Sequence, residues 1–365
     1  MERWKDYILY RGKEQLKSFL KEYYSSHKDR PALFFMGKGF DPRMMNALRG
    51  YLDNDHARSV TCYLIGYESD EISLCQSLVD ENYKDLLNLV SEYKLHLDET
   101  ISTNYDDSSS AAPLFYRSII QMSLTNCDFF VDISSMPRSL YYTILKALYN
   151  KSQENGCNLF VFASENIDID NAIVKTEWES MEAIWGFKGK KHRGSIMESI
   201  NILLPLLGEG KSVCLEQLLS DNQYDDVCPV LPFPSKDANR SERILWEYSN
   251  IFSEKLSIES QNITYAQEQN PFELYAIINS IIQSYTKTFK NQYEHILFEI
   301  ALLTSKLLSL GAFLVAIENP NVAVLNVNAK RYELEDGVDE NKLRQLNANS
   351  EVFLMWITGE AYGKE

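Results

Sequence analysis

Two loops hold most of the residues whose types and spacing suit chemistry. The first is Gly37-Lys38-Gly39-Phe40-Asp41-Pro42-Arg43. Its glycines let backbone approach a phosphate, Asp41 and Pro42 suit the cap and first position of a helix, and Arg43 can hold an anion through two parallel N–H bonds. The second is Asp132-Ile133-Ser134-Ser135-Met136-Pro137-Arg138-Ser139, where an aspartate closes an otherwise apolar run and is followed by hydroxyls and an arginine. Such a set can orient a ribose or an attacking water, with Asp132 or Asp41 as the acid–base group if the chain is an enzyme. Both loops also have a plainer reading, in which Asp41 and Ser135 cap helices and Asp132 is satisfied by backbone N–H groups.

A second set lies further along the chain. Gly208-Glu209-Gly210-Lys211-Ser212 ends like a P-loop, but the glycine that motif requires at its start falls at Pro205, so ATP hydrolysis by a P-loop is disfavoured. Anion binding by the amides and side chains of Gly208, Gly210, Lys211 and Ser212, and of Thr304, Ser305 and Lys306 in a companion loop, stays open beside a reading as simple helix starts. Pro232-Phe233-Pro234-Ser235-Lys236-Asp237-Ala238-Asn239-Arg240 is a stiff loop that either places Ser235 and Arg240 over a cleft or is a surface turn. No glycine–serine elbow, HExxH or complete dinucleotide fingerprint occurs, which disfavours conventional hydrolase and dehydrogenase chemistry.

These loops need strands before them and helices after them. RPALFFMGKGFDPRMMNALRGYL, RSVTCYLIGYES and CDFFVDISSMPRSLYYTILKALYN read as apolar strands running through a turn, and NLFVFAS as a closing strand. The start, MERWKDYILYRGKEQLKSF, reads as an amphipathic helix. From about residue 198 the order repeats: SINILLPLLGEGKSVCLEQLL, DDVCPVLPFPS, NITYAQEQNPFELYAIINSIIQSY, HILFEIALLTSKLLSLGAFLVAIE and VAVLNVNA. Gly37 to Ser134 spans 97 residues and Gly208 to Thr304 spans 96. The expectation is an α/β protein of two tandem Rossmann-like, doubly wound parallel-sheet halves related by internal duplication with a period near 170 residues. Residues 1–164 form the first half with its N-terminal helix, 165–197 a connector, and 198–365 the second half with a C-terminal extension ending in the strand SEVFLMWITG.

A net charge of −16 over 365 residues argues against broad binding to duplex nucleic acid, which draws its affinity from basic patches. The six cysteines, Cys62, Cys75, Cys127, Cys157, Cys214 and Cys228, show no CxxC pair and read as small reduced core residues. The five histidines, His27, His56, His96, His192 and His295, are equally dispersed, so no metal site is expected. The absence of a secretory h-region or membrane-length apolar run points to a cytoplasmic protein without membrane contact. Large apolar helical faces and an acidic surface suit a protein partner or a homo-oligomer.

The strand-loop pattern resembles the Rossmann-like nucleotide-sensing domains of bacterial immune systems, including the CRISPR-associated Rossmann fold group that binds cyclic oligonucleotides. GKGFDPR and DISSMPRS are similar to loops of proteins encoded with antiphage defence genes. The resemblance implies a binding or regulatory component of a defence system that recognises a phosphorylated, nucleotide-like ligand or works as a complex subunit; it names no cofactor. An enzyme acting on a nucleotide glycosidic or phosphate bond, and a purely structural partner, are the alternatives. Gly37 is expected to correspond to Gly208 and Ser134 to Thr304, with Arg43 and Arg138 converging on one anion at the edge of the first sheet.

Overall fold

The fold is that of a computed structural model, which describes residues 3–53, 59–68, 76–99, 102–104, 108–178, 181–189, 199–256, 258, 260–327 and 329–363. His56, Cys75, His192 and the basic residues 190–193 lie outside the described residues. The first half runs β1 (Ile8–Arg11), α1 (Gly12–Ser26), β2 (Ala32–Gly37), α2 (Asn46–Leu52), β3 (Val60–Glu68), α3 (Gln76–Tyr93), β4 (His96–Asp98), β5 (Ser102–Asn104), α4 (Ser108–Gln121), β6 (Asp128–Asp132), α5 (Arg138–Asn155) and β7 (Asn158–Glu165). There follow α6 (Ile167–Ala172), β8 (Ile173–Trp178) and β9 (Glu182–Lys188). The amphipathic helix expected at the start begins only at Gly12, and Ile8–Arg11 before it is a strand.

The second half runs β10 (Ser199–Leu206), α7 (Ser212–Asp221), β11 (Asp226–Val227), β12 (Val230–Pro232), α8 (Arg240–Glu247), β13 (Thr264–Ala266), α9 (Pro271–Phe289), β14 (His295–Leu302), α10 (Lys306–Glu318) and β15 (Val322–Asn326). Pro229, which has no N–H to donate, falls where the second strand breaks into β11 and β12. The chain ends with β16 (Ala329–Leu334), α11 (Glu340–Leu346) and β17 (Glu351–Thr358).

The two main sheets share one order. In the first, parallel strands lie as β4-β3-β2-β6-β7; in the second, as β13-β12-β10-β14-β15. Numbered within each half, both read 3-2-1-4-5, the doubly wound order in which the chain reverses direction of travel between strands 1 and 4. The ladder offset agrees as well: Met36 pairs with Asp132 and Leu206 with Leu302, a separation of 96 residues in both cases. The expected tandem α/β halves are thus present, strand for strand.

Buried strands that carry helices on both faces read as near-continuous apolar runs, and β2 and β6 are buried along their whole length. One row of rings fixes their register. Phe34 stands opposite Phe130, Phe130 opposite Phe160, and Phe160 opposite Trp356 of β17. Successive ring centroids are 6.0, 4.9 and 4.8 Å apart, a spacing at which aromatic pairs add about 0.5–1.5 kcal/mol each beyond the area they bury. This row belongs to a core with Leu16, Leu20 and Tyr24 of α1, Ala47, Leu48 and Tyr51 of α2, and Leu86 and Leu89 of α3. α4 and α5 pack against each other.

The boundaries expected from sequence need correction. β17 joins the first sheet, antiparallel to β7 on one side and to β1 on the other, while β9 joins the second sheet, antiparallel to β15. The chain accordingly divides into one unit of Met1–Lys5 with Thr176–Arg331 and another of Asp6–Lys175 with Tyr332–Glu365. The tail after Arg331 therefore belongs with the first half, and the stretch treated as a connector contains a strand of the second sheet. Each half sends its sixth strand to the sheet of the other, because an antiparallel strand completes the edge next to strand 5 whichever half supplies it.

This exchange predicts that a chain cut between residues 189 and 199 stays in one piece, since one fragment keeps β9 in the other's sheet and the other keeps β17 in the first's. Size-exclusion chromatography of the cut protein should show one species of the intact size. Two separated fragments would contradict the assignment of β9 and β17.

Candidate functional site

The loops after β2 and β6 meet at the point where the first sheet reverses its winding. The Ser135 hydroxyl donates to the Gly37 carbonyl at 3.0 Å, and a Cβ at Gly37 would lie 2.5 Å from Cγ of Met136. Glycine is needed at Gly37 because the neighbouring loop closes directly over it. From this junction α2 leaves into the core shared with α1 and α3, whereas the chain after β6 leads into α5 against α4. Lys38, Gly39, Phe40, Ser135, Pro137 and Arg138 are half-buried around it.

Several sequence candidates turn inward instead. Asp132 is buried, and its carboxylate accepts from the Ser134 amide at 2.9 Å and from the Ser134 hydroxyl. That same hydroxyl oxygen accepts the Ser164 amide at 2.8 Å. Asp132 and Ser134 therefore hold the turn and fasten it to β7. Asp41 caps the short 3-10 turn Pro42–Met45 by accepting the Arg43 amide. The Gly39 and Asp41 carbonyls both accept from the Asn82 side chain, which pins this loop to α3.

Arg43 is the main correction. Its guanidinium is buried, gives Nε and Nη2 to Asp41, and pairs through Nη1 with Asp170 of α6 at 2.9 Å. Burial works against this charge, and Asp41, Asp170 and Glu165 more than compensate, raising its pKa above the ordinary arginine value. The fork expected to grip a ligand is filled by the protein's own carboxylates, so Arg43 and Arg138 do not form the expected pair on one anion. Arg138 opens α5; burial pushes the Tyr142 hydroxyl's pKa well up, and the charge of Arg138 opposes that rise. Lys38 sets its ammonium 4.5 Å from the Tyr83 ring centroid.

The matching edge of the second sheet is built differently. Gly210, at φ +73, brings three successive amides to one point, and the Glu247 carboxylate occupies it: Gly210, Lys211 and Ser212 each donate at 2.9–3.0 Å. Tyr248 donates to the Gly208 carbonyl at 3.0 Å, and Nζ of Lys211 reaches the Thr304 carbonyl at 3.4 Å. Ser305 caps α10 by accepting the Leu308 amide, and Lys306 follows it as the first helical residue. Ser235 donates to the Pro232 carbonyl at 2.5 Å. Arg240 pairs with Glu268 and Glu209, and Arg243 with Glu209 and Asp237. Ser235 and Arg240 thus brace their own loop against its neighbours.

Glu247 and α8 were not anticipated from sequence, although Ile244, Tyr248, Ile251 and Phe252 carry helical apolar spacing and all enter one core. Asp170, the partner that neutralises Arg43, has no comparable signal, because its position depends on how α6 folds back. Among the described residues no cluster of histidine, cysteine, aspartate or glutamate is arranged to hold a metal ion, and no helix is long and apolar enough to cross a membrane.

The Arg43 geometry predicts a cost in stability. Removing one partner of a buried ion pair leaves the others uncompensated, so Arg43→Ala should lose about 3–5 kcal/mol. Urea unfolding of the variant against wild type measures it; a change under about 1 kcal/mol would show that the network contributes little, as exposed pairs do.

Neither a protein-family model nor a curated protein matches the chain. Among solved structures, it is similar to a universal stress protein from Pseudomonas aeruginosa UCBPP-PA14, at 11% identity and a TM-score of 0.22, covering 89% of this chain and 98% of that one. It is also similar to the cytoplasmic domain of a prokaryotic cation chloride cotransporter, at 11% identity and a TM-score of 0.23, covering 87% and 99%. Likenesses at these scores carry no functional argument, and the strand orders alone establish the α/β fold.

Proposed function

We propose that the chain is a binding component that takes a phosphorylated, nucleotide-like ligand at the junction of the loops after β2 and β6. The observation that carries this reading is the contact of Ser135 with Gly37, which joins the loops after strands 1 and 4 at the reversal point of the first sheet. Open parallel sheets bind ligands outside the carboxyl ends of their strands at that point. Lys38 and Arg138, half-buried at these two loops, are the cations such a ligand would draw on, while the Ser135 proton stays with the Gly37 carbonyl. The second sheet's equivalent loop has its three converging amides taken by Glu247, which favours the first half as the ligand site. Asp132 and Asp41 act as internal braces in this account, so binding is favoured over acid–base catalysis.

The similarity of GKGFDPR and DISSMPRS to defence-associated loops directs the choice of probes toward ATP, cyclic dinucleotides and cyclic oligoadenylates. Calorimetric titration of these should find a ligand for the wild-type chain. Arg138→Ala should weaken it about ten- to a hundredfold, the equivalent of one charge-assisted hydrogen bond, while Lys211→Ala leaves it unchanged. Equal affinity for Arg138→Ala and wild type, or loss on Lys211→Ala alone, would overturn the assignment.

A further inference from the structure

At the opposite end of the first sheet two thiols face each other. Cys127 directly precedes β6 and Cys157 directly precedes β7. The first ladder pair of these parallel strands is Asp128 with Asn158, so the two cysteines stand side by side one residue earlier. Their sulfurs are 3.5 Å apart, and both residues are buried, at 2% and 0% exposure. The backbone around them is clamped: Nη2 of Arg30 donates to the Cys127 carbonyl at 3.1 Å and to the Gly156 carbonyl at 3.3 Å, and Nε of Arg30 pairs with buried Asp128 at 3.0 Å. Adjacent strands with sulfurs already in contact meet the main geometric demand of a disulfide, which links Cα atoms about 4.4–6.8 Å apart.

We infer that Cys127 and Cys157 form a redox-modification site, a dithiol that hydrogen peroxide converts to a disulfide joining β6 to β7. Either sulfur can make the first attack, Cys157 as well as Cys127. The hydrogen bond between the two thiols favours a thiolate at one of them against the opposing effect of burial, and the charge of Arg30 adds to this. That thiolate attacks one peroxide oxygen, the O–O bond breaks, and the sulfur becomes a sulfenic acid while hydroxide leaves and is protonated to water. The other thiol then gives up its proton, its sulfur attacks the sulfenic sulfur, and the second hydroxide leaves as water. The two thiols lose two electrons in total, and one peroxide is reduced to two waters.

The segment closed by this bond contains β6, the Ile133–Pro137 turn and α5, which is the unit that presents Ser135 and Arg138. A cross-link at its two ends therefore constrains the part of the chain that carries the candidate site, although the inference stands on the sulfur geometry alone and not on ligand binding.

The test uses the intact wild-type chain. After treatment with hydrogen peroxide and quenching, the protein is unfolded and its thiols are alkylated. The chain has six cysteines; two should be lost to labelling, the mass before alkylation should fall by two hydrogens, and dithiothreitol should restore full labelling. Peptide mapping should place the link between Cys127 and Cys157, and Cys127→Ala should form no disulfide under the same treatment. Full labelling after peroxide, a disulfide mapped to other cysteines, or oxidation that stops at single-sulfur acids would overturn the inference.

Discussion

The row of rings formed by Phe34, Phe130, Phe160 and Trp356 crosses four adjacent strands in register, and the placement of everything at the sheet's upper edge depends on it. A slip of one residue in any of these ladders would turn the row to the other face, away from α1, α2 and α3. With the row in place Met36 lies beside Asp132, so the chain leaves β2 and β6 at the same height and their loops touch through Ser135 and Gly37. The contact at the candidate site is in this sense a consequence of packing several residues below it.

The same ladder offset recurs between β10 and β14, yet the two edges have diverged in chemistry. Beside the second, three amides at the start of α7 converge on the carboxylate of Glu247, and Glu209, Glu268, Arg240 and Arg243 tie the neighbouring loops together. A helix start that converges its amides is an anion site by construction, and here the anion is supplied by the chain. In the first half the bracing acids serve other ends: Asp132 holds its turn, and Asp41 with Asp170 holds Arg43. Lys38, Ser135 and Arg138 are half-buried at the two loops, Ser135 bonded to Gly37 and Lys38 set against Tyr83.

The parallel strands were legible because strands buried on both faces must be written as apolar runs, as ALFFMG and DFFVD are, and because equal spacing in the two halves survives low identity. The exchange of the sixth strands was not. β17 and β9 look like any edge strand, and nothing local distinguishes docking on β7 from docking on β15, since that choice is made by partners far away in the chain. Arg43 shows the same limit at the level of one side chain. Its motif fits an anion-binding loop, and only the folding of α6, which brings Asp170 to it, shows that the anion it holds is internal. Asp132, by contrast, follows the plainer reading by accepting the Ser134 amide, whereas Ser135, read as a helix cap, instead bonds the Gly37 carbonyl and leaves Pro137 at the cap position of α5.

The central claim is that ligand binding belongs to the loop junction of the first sheet and not to its counterpart in the second. Amide hydrogen exchange, measured with and without a cyclic oligoadenylate at saturating concentration, locates the bound ligand without any substitution. Slowed exchange at residues 37–41 and 133–139, with residues 208–212 and 303–306 unchanged, is the result this account predicts. Slowed exchange confined to 208–212 and 303–306, or none at either edge with this probe, ATP or a cyclic dinucleotide, would contradict it.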